Sequence, residues 1–75
     1  MNPLLNKAIN EVKNLNSGEE FLVKELFKGF EWNRIDRSAR LTLGILFLNE
    51  VKNNPSLGVT ILGKTSSHQQ KYQKN

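Results

Sequence analysis

The stretch "DRSARLTLGILFLNEVKNNP", Asp36 to Pro55, constrains the fold more than any other part of the chain. Asp36 is a suitable N-cap and "NNP" a stop signal, so the sequence predicts one helix from about Asp36 to Asn53. Projected at about 100° per residue, its positions Ala39, Leu41, Leu43, Gly44, Ile45, Leu46, Phe47, Leu48 and Val51 sweep an arc of roughly 260°, where a surface helix needs about 100° or more. Such a helix is expected to be mostly buried. Its polar strip, Ser38, Thr42, Asn49 and Asn53, is narrow and uncharged. The surplus apolar surface calls for a thick core, a dimer interface or a pocket open on one side.

With 75 residues the chain makes one small domain, 1–75, whose core must come from the 37% of residues that are apolar. It has no cysteine and one histidine, which removes disulfide staples, thiolate zinc sites and His-rich metal sites. No nucleophile sits beside a base and no carboxylate pair lies in an apolar run, so an enzyme is not expected, nor a cofactor. The N-terminus lacks the apolar run of a signal peptide. The longest apolar run, Leu43 to Leu48, is six residues against the roughly 20 that span a bilayer. A soluble, cytoplasmic protein without a membrane partner is expected.

Along the chain, Asn2 and Pro3 read as an N-cap and first helical residue, and Leu4, Leu5, Ala8, Ile9 and Val12 follow at helical spacing to about Asn14. Glu20 to Leu22 reads as a brief extended segment and Val23 to Phe27 as a short helix that Gly29 stops. A turn holding Phe30, Trp32 and Ile35 leads into the long helix. Val59 to Lys64 and Gln69 to Gln73 then read as a β-hairpin with Ser66, Ser67 and His68 near its tip, and residues 73–75 as a frayed end. Helix, short strand, helix, helix, strand, strand is the order of a winged helix-turn-helix domain, an α+β fold of three helices, a short strand and a C-terminal hairpin wing.

Charge grows toward the C-terminus. Residues 1–23 carry two bases and three acids, residues 24–53 six bases and four acids, and residues 54–75 three lysines and no acid. A basic half on a small domain is the electrostatic footprint of a nucleic-acid or acidic-surface binder. Arg34, Arg37 and Arg40 are candidate phosphate contacts, or else surface residues that are simply solvated or salt-bridged to Asp36 and Glu31. Phe27, Phe30 and Trp32 are core residues or a stacking platform for unpaired bases. In the hairpin, Lys64, Lys71 and Lys74 could track phosphates, and Tyr72 offers a ring for stacking or a plug for the core. The plain alternative is a polar hairpin with a solvated end.

The pieces "GEEFLVKELFKGFEWNRI", "RLTLGILFLNEV" and "GKTSSHQQKY" resemble a family of small uncharacterised-domain proteins of Gram-positive mobile elements. That family includes the single-stranded DNA-binding winged-helix protein of staphylococcal cassette chromosome elements. The resemblance runs from about Gly18 to Tyr72, and the "LFKGFEW" and "KTSS.QQ.Y" spacings are its more specific parts. It implies a winged helix used for single-stranded DNA in place of an OB-fold, and a hydrophobic pocket, here Phe27, Phe30, Trp32, Leu43 and Phe47. The positions matching the family are Phe27, Gly29, Trp32, Arg34, Leu43, Gly44, Phe47, Lys64, Thr65, Ser66, Gln70 and Tyr72. The cassette protein continues into a C-terminal tail implied in recruiting other proteins, and recruitment by such a tail is not expected of this chain.

The leading expectation is a sequence-tolerant single-stranded DNA-binding protein of a mobile genetic element, supporting replication or transfer and partnered with proteins of that element. Arg34, Arg37, Arg40, Lys64 and Lys71 would neutralise phosphates, Tyr72 would stack, and Thr65, Ser66, Gln69 and Gln70 would hydrogen-bond backbone oxygens. Homodimerisation or cooperative assembly on DNA fits so small a footprint. The alternatives are a winged-helix regulator of duplex DNA, against which the uncharged strip of the long helix argues, and a protein-binding adaptor with a hydrophobic pocket near Trp32.

Overall fold

The computed structural model describes residues 2–75 as a small α+β fold. Helix α1 (Pro3–Val12) starts as its sequence dictates: Asn2 Oδ1 accepts the Leu4 and Leu5 N–H groups at 2.8 and 3.4 Å, and Pro3 occupies the first turn, where no N–H is needed. Its buried stripe is Leu5, Ala8 and Val12, turned toward the long helix and the 3₁₀ turn Val23–Leu26. Strand β1 (Glu20–Phe21) lies between α1 and that turn in sequence.

Short acidic brackets organise the middle of the chain. Glu19 accepts the Asn16 N–H, Glu25 the Leu22 N–H and Glu31 the Lys28 N–H, in each case three residues back. The third bracket opens a helix where the sequence reads as a turn: Gly29–Asn33 is helix α2, so Gly29 begins an element and does not merely end one. A free N-terminal N–H needs an acceptor, and Glu31 supplies it. Helix α3 (Arg37–Asn53) begins, as expected, at Asp36, whose Oδ1 accepts the Ala39 N–H at 2.8 Å. That bond and one from Ser38 hold the Asp36 carboxyl below its ordinary value.

A 3₁₀ turn at Pro55–Leu57 and Gly58, with φ of 72°, redirect the chain into strand β2 (Val59–Lys64), which pairs antiparallel with β3 (Gln70–Lys74). Only glycine adopts this left-handed conformation at no steric cost. β3 is also paired with β1, so the three-stranded sheet has the order β1-β3-β2. The central position of β3 corrects the expectation of a frayed end. Gln73 and Lys74 are ladder residues, the Lys74 N–H bonds to Glu19, and the Asn75 N–H bonds to Gly58.

The core is an aromatic knot joining the sheet to α3. Tyr72 of β3 stacks on Phe21 of β1 at 5.6 Å between centroids and meets Phe47 of α3 edge-on at 5.0 Å. Leu5, Ala8, Val12, Leu26, Phe27, Leu43, Val51 and Leu57 close around it. Helix α3 is less buried than its apolar arc predicts. Leu43, Phe47 and Val51 are fully inside, while Leu41 and Ile45 are 60% and 62% exposed. The wide arc is thus two stripes, one in the core and one facing an open groove. No helix among the described residues is long and apolar enough to cross a membrane.

Candidate nucleic-acid interface

The second stripe of α3 forms the floor of a groove of about 920 Å³. Leu41, Gly44, Ile45 and Leu48 face it from α3, Leu22, Val23 and Lys24 from the segment after β1, Trp32 from α2, and Lys64, Ser67, His68, Gln69 and Gln70 from the hairpin. Arg37, one turn before Leu41, and Arg40, one turn before Gly44, complete the rim.

The charge of this groove follows from where the acids go. Glu19, Glu25, Glu31 and Asp36 are bound to backbone N–H groups as caps, Glu20 pairs with Lys71, and Glu11 and Glu50 accept from Asn14 and Asn54. Among the described residues none of the seven acids lines the groove, whereas Lys24, Arg37, Arg40 and Lys64 do. The result is an apolar floor within a cationic rim. A low-dielectric surface edged by one sign of charge attracts a polyanion and gives its apolar parts somewhere to lie.

Arg40 is the most constrained of the cations. Its guanidinium lies 5.1 Å from the Trp32 ring centroid and its Nη2 donates to the Trp32 carbonyl at 2.8 Å. Its Nε is buried without a partner. No described arginine forms an ion pair: Glu31 pairs with Lys7 at 2.9 Å, and Asp36 Oδ1 accepts the capping bonds from Ala39 and Ser38. The Lys7 contact holds the Glu31 carboxyl below, and the Lys7 ammonium above, their ordinary values. The expected pairing of arginines with Asp36 and Glu31 is therefore not found.

The hairpin is built differently from a flat ribbon. Leu62 and Gly63 lie opposite Lys71 alone, a bulge between the Ile61–Tyr72 and Lys64–Gln70 pairs. The Gln70 amide Nε2 donates to the Leu62 carbonyl left open there, with a longer contact to Gly63. At the tip the His68 N–H bonds to the Thr65 carbonyl, Thr65 Oγ1 accepts from the Gln69 N–H and contacts Ser67, and His68 takes a φ of 66°.

Of the residues expected to contact nucleic acid, the fold brings together Arg37, Arg40, Lys64, Gln69 and Gln70 at the groove. Four others lie elsewhere or are occupied. Arg34 lies over the exposed Phe30 ring at 5.0 Å, outside the groove. Lys71 is held by Glu20 at 2.6 Å, Thr65 by the turn, and Ser66 sits beyond the rim. Tyr72 is corrected outright: at 1% exposure it is a core ring under the groove and has no face to offer a base. Gln70 too is mainly structural, since its donor is used in the bulge.

The expected pocket of Phe27, Phe30, Trp32, Leu43 and Phe47 is likewise corrected. Phe27, Leu43 and Phe47 are core, Phe30 is 55% exposed under Lys28 and Arg34, and only Trp32 reaches the groove. The residues the sequence reading missed are Lys24, Leu41, Ile45, Leu48 and His68. For α3 the signal was present in the excess width of its apolar arc. For Lys24 there was none.

Comparison with known proteins agrees with this architecture. No curated protein matches the sequence significantly. The solved structure of LP1413, a nucleic-acid-binding protein of SCCmec type IV, superposes with a TM-score of 0.73 at 23% identity, over 95% of this chain and 81% of that one. The chain is thus similar in fold to a protein of a staphylococcal cassette chromosome element. Residues 6–74 match the domain of unknown function DUF1413, and the chain belongs to that family.

Proposed function

We propose that this chain is a sequence-tolerant single-stranded DNA-binding protein of a mobile genetic element, built as a winged helix-turn-helix. The observation that carries the reading is the groove with an apolar floor, four cations and no acid. Unpaired bases have hydrophobic faces and a phosphate at every step, and such a surface complements both. The element order and the β1-β3-β2 sheet support the winged-helix reading, with α3 as third helix and the β2–β3 hairpin as wing. The nucleic-acid-binding description of the structural relative points the same way.

A duplex reader is disfavoured by the same face. A helix entering the major groove offers Arg, Lys, Asn or Gln to base edges. Here α3 beyond Arg40 turns Leu41, Gly44, Ile45 and Leu48 to the groove, and the polar residues exposed beside them, Thr42 and Asn49, carry no charge. Support of replication or transfer follows from the setting of the relative and belongs to the same proposal.

The test is fluorescence anisotropy with a labelled unstructured oligonucleotide of about 30 nucleotides and its duplex, each at low and moderate salt. Preference for the single strand, weakening steeply with salt, is expected. Tighter binding to the duplex, or no binding to either, would sink the proposal.

A further inference from the structure

We infer that Gly44 is the seat of a single nucleobase, drawn out of the strand into the groove floor; this deepens the single-stranded DNA reading and rests on it. The starting point is an anomaly of sequence. Gly44 lies in the interior of a 17-residue helix, where glycine is the poorest choice short of proline. Two ordinary reasons for a glycine are missing. Its φ is not in the left-handed region, and a Cβ built on it meets nothing within 4 Å, so no neighbouring element approaches too closely for a side chain. What the missing side chain does is open the floor of the groove.

The surroundings select the occupant. Arg40 lies one turn before Gly44 and Leu48 one turn after it, on the same helix face. The Arg40 guanidinium is held against Trp32 at the edge of the groove. A base brings a flat face for the aliphatic floor, and its flanking phosphates bring counter-charges for the rim of Arg37, Arg40 and Lys64. An apolar peptide side chain would fill the floor but leave the cationic rim without counterparts. Every base has a π-face, so one seat of this kind keeps binding sequence-tolerant.

The experiment compares the full chain with Gly44→Ala and Gly44→Leu on two labelled oligonucleotides, oligo-dT and a strand of equal length whose interior nucleotides are abasic. The phosphates are the same in both. The wild type is expected to prefer oligo-dT by about tenfold, the scale of one stacked base. Gly44→Leu is expected to lose that preference and bind both strands as the wild type binds the abasic one, with Gly44→Ala between. Melting temperatures of both variants at or above that of the wild type would show that the loss is not unfolding, since both residues favour helix over glycine. A wild type that binds the two strands alike, or a Gly44→Leu protein that keeps the preference, overturns the seat while leaving DNA binding intact. A wild type that binds neither strand overturns the function proposed above as well.

Discussion

Arg40 and Trp32 are joined twice, by a guanidinium lying 5.1 Å from the ring centroid and by a 2.8 Å hydrogen bond from Nη2 to the Trp32 carbonyl. The pair locks α3 to α2 and puts the chain's single tryptophan at the groove wall. Arg40→Ala is expected to destabilise the fold by about 1–2 kcal/mol through loss of both contacts. Arg40→Lys should retain the charge but lose the planar fit, so that stability falls while the salt dependence of DNA binding is kept. Thermal melts and salt titrations of the two variants separate these effects. Trp32 emission should change on adding an oligonucleotide to the wild type, and an unchanged spectrum at saturating DNA would place the strand away from this wall.

Lys64 and Lys71 are close in sequence and unlike in setting. Lys64 is exposed at the groove rim, whereas Lys71 is tied to Glu20 at 2.6 Å. Each cation that neutralises a single-strand phosphate contributes about 0.7 to the slope of log K against log salt. Lys64→Ala and Arg37→Ala should each lower the slope by about that amount, and Lys71→Ala should leave it nearly unchanged. A larger drop for Lys71→Ala than for Lys64→Ala would mean that the strand runs over the Glu20 side of the sheet.

Gln70 illustrates a polar residue whose role the sequence hides. Its amide closes on the Leu62 carbonyl at the hairpin bulge, so Gln70→Ala leaves that group without its protein partner. The expected cost is about 1 kcal/mol, and hydrogen exchange should quicken in the hairpin more than in α3. Uniform loss of protection across the chain would instead show that the hairpin and the helices open as one unit.

The limits of the sequence reading fall along physical lines. Local signals located α1, β1, α3 and the hairpin, because Asn2, Pro3, Asp36 and the alternating residues after Gly58 act through their immediate neighbours. In the sequence α2 reads as a turn, since a glycine and two aromatics weigh against a helix in any window, and the bond that opens it, from the Lys28 N–H to Glu31, shows only in the folded chain. The site was half legible. The basic residues were visible as charge, but which of them are free depends on where the acids lie in space, as the Glu20–Lys71 and Lys7–Glu31 pairs show. Tyr72 alternates along β3 in a way that permits either face, and only the packing of Phe21 and Phe47 decides that its ring is inside.

That inward placement makes Tyr72 an alkaline sensor of stability. Burial pushes its phenol from the ordinary 10.0 up to about 12, because the phenolate is poorly solvated in the core. The folded protein therefore holds this proton over a pH range in which the unfolded chain has released it. The contribution to stability is fully present below pH 10, declines as pH rises through the window from about 10 to 12, and is absent above it. Tyr72→Phe keeps the ring that packs on Phe21 and Phe47 and has no proton to lose. All other groups are common to both proteins and cancel in the difference. The melting temperature of the wild type is thus expected to fall more steeply between pH 9 and 11.5 than that of Tyr72→Phe, with the two curves nearly parallel between pH 6 and 9. Parallel curves across the whole range would mean that the Tyr72 hydroxyl reaches water through the groove floor.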